Sequence, residues 1–136
     1  MTATKPDYDN LTLICPVDCG NAPKKAQLKE LNIAFAKHDI AFIIENMTED
    51  VIWNIVGGKR IQGKERLVEA LKQMKNSKIT ELEISNIITH GYTGSANGIM
   101  RLGNNKSYAF CNVYLFNSSA KNAKIKEITS YVIEVS

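Results

Sequence analysis

Along the first half of the chain the apolar residues recur mainly with a helical period, and from residue 79 they recur at every second position. The segment KKAQLKELNIAFAK sets Leu28, Leu31 and Phe35 on one stripe with lysines mostly opposite, the pattern of an amphipathic helix. Asn21 and Pro23 stand at its start, where an amide can cap free N–H groups and proline is tolerated in the first turn. His38-Asp39 breaks the pattern. A shorter helix is predicted in DIAFIIENM, with Asp39 as its cap and Ile40, Ile43, Ile44 and Met47 at i, i+3, i+4 and i+7. VIWNIV, rich in β-branched residues and closed by Gly57-Gly58, predicts a strand and a turn. KRIQG predicts a short partner strand. KERLVEALKQMK predicts a third amphipathic helix, with Leu67, Ala70, Leu71 and Met74 on one side.

The remainder reads as strand. In ITELEISNIITH, Leu82 and Ile84 face one way and Glu81 and Glu83 the other. GYTG is a turn, and SANGIMRL is a strand whose internal glycine predicts a bulge or bend. GNN is a hairpin turn. SYAFCNVYLF is apolar on both faces, which predicts that both are covered. NSSAKN turns again, and IKEITSYVIEV closes the chain. Residues 1–22 are irregular in pattern and read as a lead-in segment, with residues 23–136 as a single domain. Two helices, two strands, a helix and then a four-strand meander indicate the α+β class.

Composition narrows the functional classes. At 136 residues, 44% hydrophobic and 23% charged, the chain can bury a core of its own. Its net charge of +3 comes from scattered lysines without interleaved aromatics, a poor match to a nucleic-acid-binding surface. No apolar run approaches the roughly 18 residues of a membrane span. MTATKPDYDN has neither the basic nor the apolar region of a secretory signal. With three cysteines, an odd number, this points to a reducing, cytoplasmic setting.

The stretch AKHDIAFIIENMTEDVIWNIVGGKRIQGKERLVEALKQM, followed by YAFCNVYLF and IKEITSYVIEV, resembles the nuclear-transport-factor-2-like (SnoaL-like) family over about residues 23–135. The likeness rests on a helix ending just before an Asp, Glu49-Asp50 before an apolar strand with Trp53, and Gln62-Gly63 before the third helix. It implies an α+β cone, in which three helices pack in a strongly curved antiparallel sheet around a pocket open at one end. It also implies a homodimer. Many activities share this scaffold, including ketosteroid isomerases, cyclases, dehydratases, epoxide hydrolases and non-enzymatic modules.

On the isomerase pattern a strand carboxylate is the base, and a tyrosine and an acid stabilise the enolate. Those positions fall here on Ile55, Leu31 and Asn112, so two roles are missing and an amide holds the third. His38 and His90 have no Asp at a spacing that suggests a pair; they read as a helix-end cation and a turn residue. Arg60, Arg66 and Arg101 have no Asp in a matching strand, as an epoxide hydrolase needs. Whether any reaction is catalysed stays open.

An apolar pocket for a small hydrophobic molecule is expected, with no cofactor and no metal. Trp53 and Ile55 share one strand face, and Tyr108, Phe110, Asn112, Tyr114 and Phe116 another. The expected ligand contacts are Trp53, Ile55, Asn112, Tyr114 and Phe35. An amide among aromatics must find partners. Asn112 either bonds a carbonyl or hydroxyl of a ligand, or bonds a buried water or tyrosine hydroxyl in a filled core. Cys111 falls on the opposite face as a packed small hydrophobe, and Tyr131 can reach a pocket or a dimer face. The alternative is an interaction module with a filled cone and an apolar outer face. Cys15 and Cys19, in C-x3-C spacing, lack the ligand set of a structural zinc site and the C-x-x-C of a redox centre; a local disulfide or transient metal site remains an alternative to a plain lead-in.

Overall fold

The computed structural model describes residues 2–5, 11–16, 22–74 and 78–135. The helices are α1 (Pro23–Lys37), α2 (Ile40–Glu45) and α3 (Lys64–Gln73). The strands are β1 (Thr2–Lys5), β2 (Thr12–Pro16), β3 (Met47–Ile55), β4 (Arg60–Gln62), β5 (Ile79–His90), β6 (Thr93–Leu102), β7 (Ser107–Phe116) and β8 (Ile125–Glu134). They form one sheet in the order β1-β2-β5-β6-β7-β8-β3-β4. The fold is α+β: β5 to β8 are the expected antiparallel meander. Two joints, β2 on β5 and β3 on β8, are parallel, so the sheet is mostly and not wholly antiparallel.

The lead-in is more ordered than its pattern suggested. β1 pairs with β2, and β2 extends the sheet beside β5. Leu11, Leu13 and Cys15 bury their side chains at a two-residue period. Cys15 is a free thiol, and Cys19 and Asn21 lie outside the described residues. Pro23 opens α1, preceded by Ala22, which supplies no side-chain cap. Asp39 caps α2 by accepting from the Phe42 N–H at 3.2 Å. That helix stops at Glu45, and Met47 opens β3 opposite Ile125 instead of continuing the helical stripe.

Burial of Leu28 and Leu31 roots α1 in the core, each contributing about 2 kcal/mol through area removed from water. The same helix face holds Lys24, a departure from the solvent-facing lysines expected of α1. Lys24 is only 8% exposed. Its Nζ donates to the carbonyls of Gly91 (2.6 Å) and Ser118 (3.2 Å) and lies 4.7 Å from the centre of the Phe116 ring. The register between β5 and β6 shifts between Ile84 and Asn86, across from Gly98, so the extra residue lies in β5 and not in the glycine-bearing β6, where a bulge or bend was expected. A Cβ at Gly98 would sit 1.9 Å from the Glu83 carbonyl oxygen, so only glycine allows this approach.

On β7, the inner residues Phe110, Tyr114 and Phe116 are buried. The outer face is not covered within one chain, contrary to the two-sided burial predicted: Val113 is exposed and Cys111 half-buried, its Sγ 3.8 Å from Ser95 Oγ. No helix among the described residues is long and apolar enough to cross a membrane.

Candidate functional site

Between the inner face of the sheet and the helices lies a cavity of about 370 Å³. Each residue that the sequence nominated, Phe35, Trp53, Ile55, Asn112 and Tyr114, stands on its wall. Three elements bring them together, and a fourth completes the wall. α1 supplies Phe35, and β3 supplies Trp53 and Ile55, which share a face at a two-residue spacing. β7 supplies Asn112 and Tyr114 in the same way, and β8 adds Ile128, Ser130 and Val132. The parallel joint places Trp53 beside Ile128, while Asn112 faces Ser130 across the β7–β8 pair. Phe35 and Trp53 meet edge to face with centroids 5.5 Å apart, a favourable aromatic geometry.

The polar groups of this wall are linked. Trp53 Nε1 donates to Ser130 Oγ at 2.8 Å. Asn32, 5% exposed, donates through Nδ2 to the Leu28 carbonyl (2.7 Å) and to the Tyr114 hydroxyl oxygen (3.0 Å). Asn112 Nδ2 donates to Asn32 Oδ1 at 3.5 Å, and its amide lies beside the Tyr114 hydroxyl. The pKa of Tyr114 is pushed up to about 12, chiefly by burial, against which the two amide hydrogen bonds act only in part. The phenol therefore stays neutral, since desolvation disfavours its anion more than two amides stabilise it.

Of the positions given by the isomerase pattern, Ile55 and Asn112 line the cavity, whereas Leu31 is sealed in the core. The next residue, Asn32, takes the place on α1 that faces the cavity. Asn32 and Ser130 are wall residues that the sequence reading missed, and so is His38. His38 caps α1 in a left-handed conformation (φ 58, ψ 39) and borders the cavity besides closing the helix. His90 is exposed at the end of β5. Arg101 lies on the outer face, bonded to Glu81 and Glu83, and Tyr131 is exposed on that face, paired across the strands with Cys111.

Wall burial runs from Tyr114 and Ile128, at 1% and 2% exposure, to Val132 at 42%. The polar cluster therefore occupies the deep end, and the C-terminus of β8 the open one. Solved structures with this fold are numerous. An NTF2-like protein of unknown function from Burkholderia xenovorans LB400 superposes with a TM-score of 0.69 at 19% identity, covering 84% of this chain and 85% of that one. The fold is NTF2-like. A second NTF2-like protein of unknown function, from Cytophaga hutchinsonii ATCC 33406, matches at TM-score 0.61 and 22% identity, covering 79% of this chain and 97% of that one. An LEH-like epoxide hydrolase of M. tuberculosis matches at TM-score 0.64 and 18% identity over 79% of this chain and 80% of that one. No family model matches the sequence, and no curated protein does. The NTF2-like neighbours thus share the cone, and at these identities the likeness extends to the fold alone.

Proposed function

We propose that this NTF2-like protein binds one small, largely apolar molecule in its cone. The observation that carries this reading is a cavity of about 370 Å³ with aromatic and aliphatic walls and hydrogen-bonding groups gathered at its deep end, the usual make-up of a small-molecule site. Trp53, Ile55 and Phe35 pack on the body of the ligand, and the Asn112–Tyr114 cluster orients it. No reaction is assigned. A bulky side chain on the wall tests the reading: Ile55→Trp fills the cavity, so isothermal calorimetry with small aromatic compounds reads binding to the wild type and none to the variant. Equal binding by both overturns it.

A second copy of the chain is proposed on the outer face of the sheet. Val113, Tyr131 and Ile133 are exposed there, at 38%, 47% and 67%, on the neighbouring strands β7 and β8. Light scattering then gives a dimer mass for the wild type and a monomer mass for Tyr131→Glu. A cytoplasmic setting is proposed as well, supported by the free thiols Cys15 and Cys111.

A further inference from the structure

Resting on the small-molecule reading, the hydrogen-bond inventory at the deep end specifies which chemistry the ligand brings there. Four side-chain N–H hydrogens are at stake, two on each asparagine. Those of Asn32 go to the Leu28 carbonyl and the Tyr114 oxygen. Asn112 donates one of its own to Asn32 Oδ1, and its amide lies beside the Tyr114 hydroxyl. The Tyr114 oxygen thus accepts from Asn32 on α1, with the Asn112 amide of β7 beside it. What that hydroxyl has left to donate is its own hydrogen. No acceptor among the described residues takes it.

Tyr114 is 1% exposed and lines the cavity, so a hydrogen that bonds nothing in the protein is directed to whatever fills the cavity. A buried donor left without an acceptor is costly, and a ligand oxygen recovers that cost. We propose that the cavity selects uncharged ligands carrying a carbonyl-type oxygen, which accepts the Tyr114 hydroxyl hydrogen, with Asn32 and Asn112 as positioning residues that aim that hydroxyl. Asn112 then acts through the tyrosine. Tyr114 holds neither the tyrosine nor the acid position of the isomerase pattern, which fall on Leu31 and Asn112, so this donor is a property of this chain's own packing.

The rest of the wall argues for an uncharged ligand. Phe35, Trp53, Leu82, Met100, Phe110 and Ile128 surround the body of the cavity. Among the described residues no carboxylate, lysine or arginine side chain lines it, His38 being the ionisable group besides Tyr114. His38 lies six residues beyond Asn32 on α1, about 9 Å along the axis at the helical rise, at the other end of the helix stretch that borders the cavity. An anion at the deep end would therefore give up its hydration without a counter-charge.

Three probes of one shape test this: naphthyl methyl ketone, isopropylnaphthalene and naphthoate, with affinities measured by isothermal calorimetry. The wild type is expected to bind the ketone roughly three- to tenfold more tightly than the hydrocarbon, the range of one net hydrogen bond, and naphthoate least of all. In Tyr114→Phe the ketone-to-hydrocarbon ratio falls to about one while hydrocarbon binding persists, which reports an intact cavity. In Asn112→Leu the ratio falls part of the way, a change that loss of packing alone would not produce. A ketone without advantage over the hydrocarbon in the wild type, or a ratio unchanged in Tyr114→Phe, overturns this inference and leaves the small-molecule reading standing. Naphthoate as the tightest ligand does the same. If none of the three binds, both fall. Should Tyr114→Phe fail to fold, the infrared carbonyl stretch of the ketone bound to the wild type decides. A shift below its position in hexane supports the hydrogen bond, and no shift overturns it.

Discussion

Two buried polar clusters hang from the same face of α1, and they differ in what they leave over. At the first turn, Lys24 spends its charge on two backbone carbonyls and an aromatic ring, tying the helix to the β5–β6 turn and to the chain leaving β7. Two turns later, Asn32 is hydrogen-bonded to Leu28, Tyr114 and Asn112, but its cluster opens onto the cavity. The first cluster is closed on itself and has only a structural role. The second is anchored at the back and unfinished at the front, which is the arrangement a binding site needs.

Substitutions in each cluster break this contrast in different ways. The largest effect is expected for Lys24→Met, which keeps the apolar stem but leaves the Gly91 and Ser118 carbonyls without their donor. Urea unfolding should read a loss of about 2–4 kcal/mol, with cavity binding of the remaining folded protein unaltered. Next comes the alkaline limb of stability. The Tyr114 hydroxyl titrates near the ordinary tyrosine value when unfolded and at about 12 when folded. Between those values the folded state holds the proton that the unfolded state has lost, so stability falls as pH rises from 10 towards 12. The fall amounts to roughly 2 kcal/mol by the top of that range, and in Tyr114→Phe the limb should flatten by this amount. The smallest effect is expected for Asn112→Leu. Its bond to Asn32 is long at 3.5 Å, and the site is half-buried, so thermal unfolding should register about 1 kcal/mol or less. A loss as large as that of Lys24→Met would mean that the cavity cluster is as structural as the lysine cage.

Helix order, the meander and the faces of β3 and β7 were legible because each follows from a local period, whereas Gly98 marked the place of an irregularity that lies in the neighbouring β5. Lys24 and Asn32 were legible in principle. They stand four residues before and four after Leu28, on the stripe that Leu28, Leu31 and Phe35 define. An apolar pattern scores them as interruptions, and only their partners give them meaning. Those partners are remote in the chain: Gly91 and Ser118 for the lysine, Tyr114 and Asn112 for the asparagine. Ser130 escaped for the same reason, since its significance lies in the Trp53 indole across the β3–β8 joint. The strand character of residues 12–16 was visible in the alternation of Leu11, Leu13 and Cys15 but was masked by the prolines and glycine around it.

The two parallel joints also bear on how the molecule assembles. The hairpins of β5 to β8 join residues close in sequence, whereas β2 on β5 and β3 on β8 each connect positions half a chain apart. Closing loops of that length is entropically slow, so the meander is expected to stand first and the two outlying strands to dock onto it late. Trp53, the chain's one tryptophan, lies on the β3–β8 joint with its indole bonded to Ser130. Its fluorescence therefore times the docking of β3 onto β8, the step that first gives the cavity its tryptophan wall.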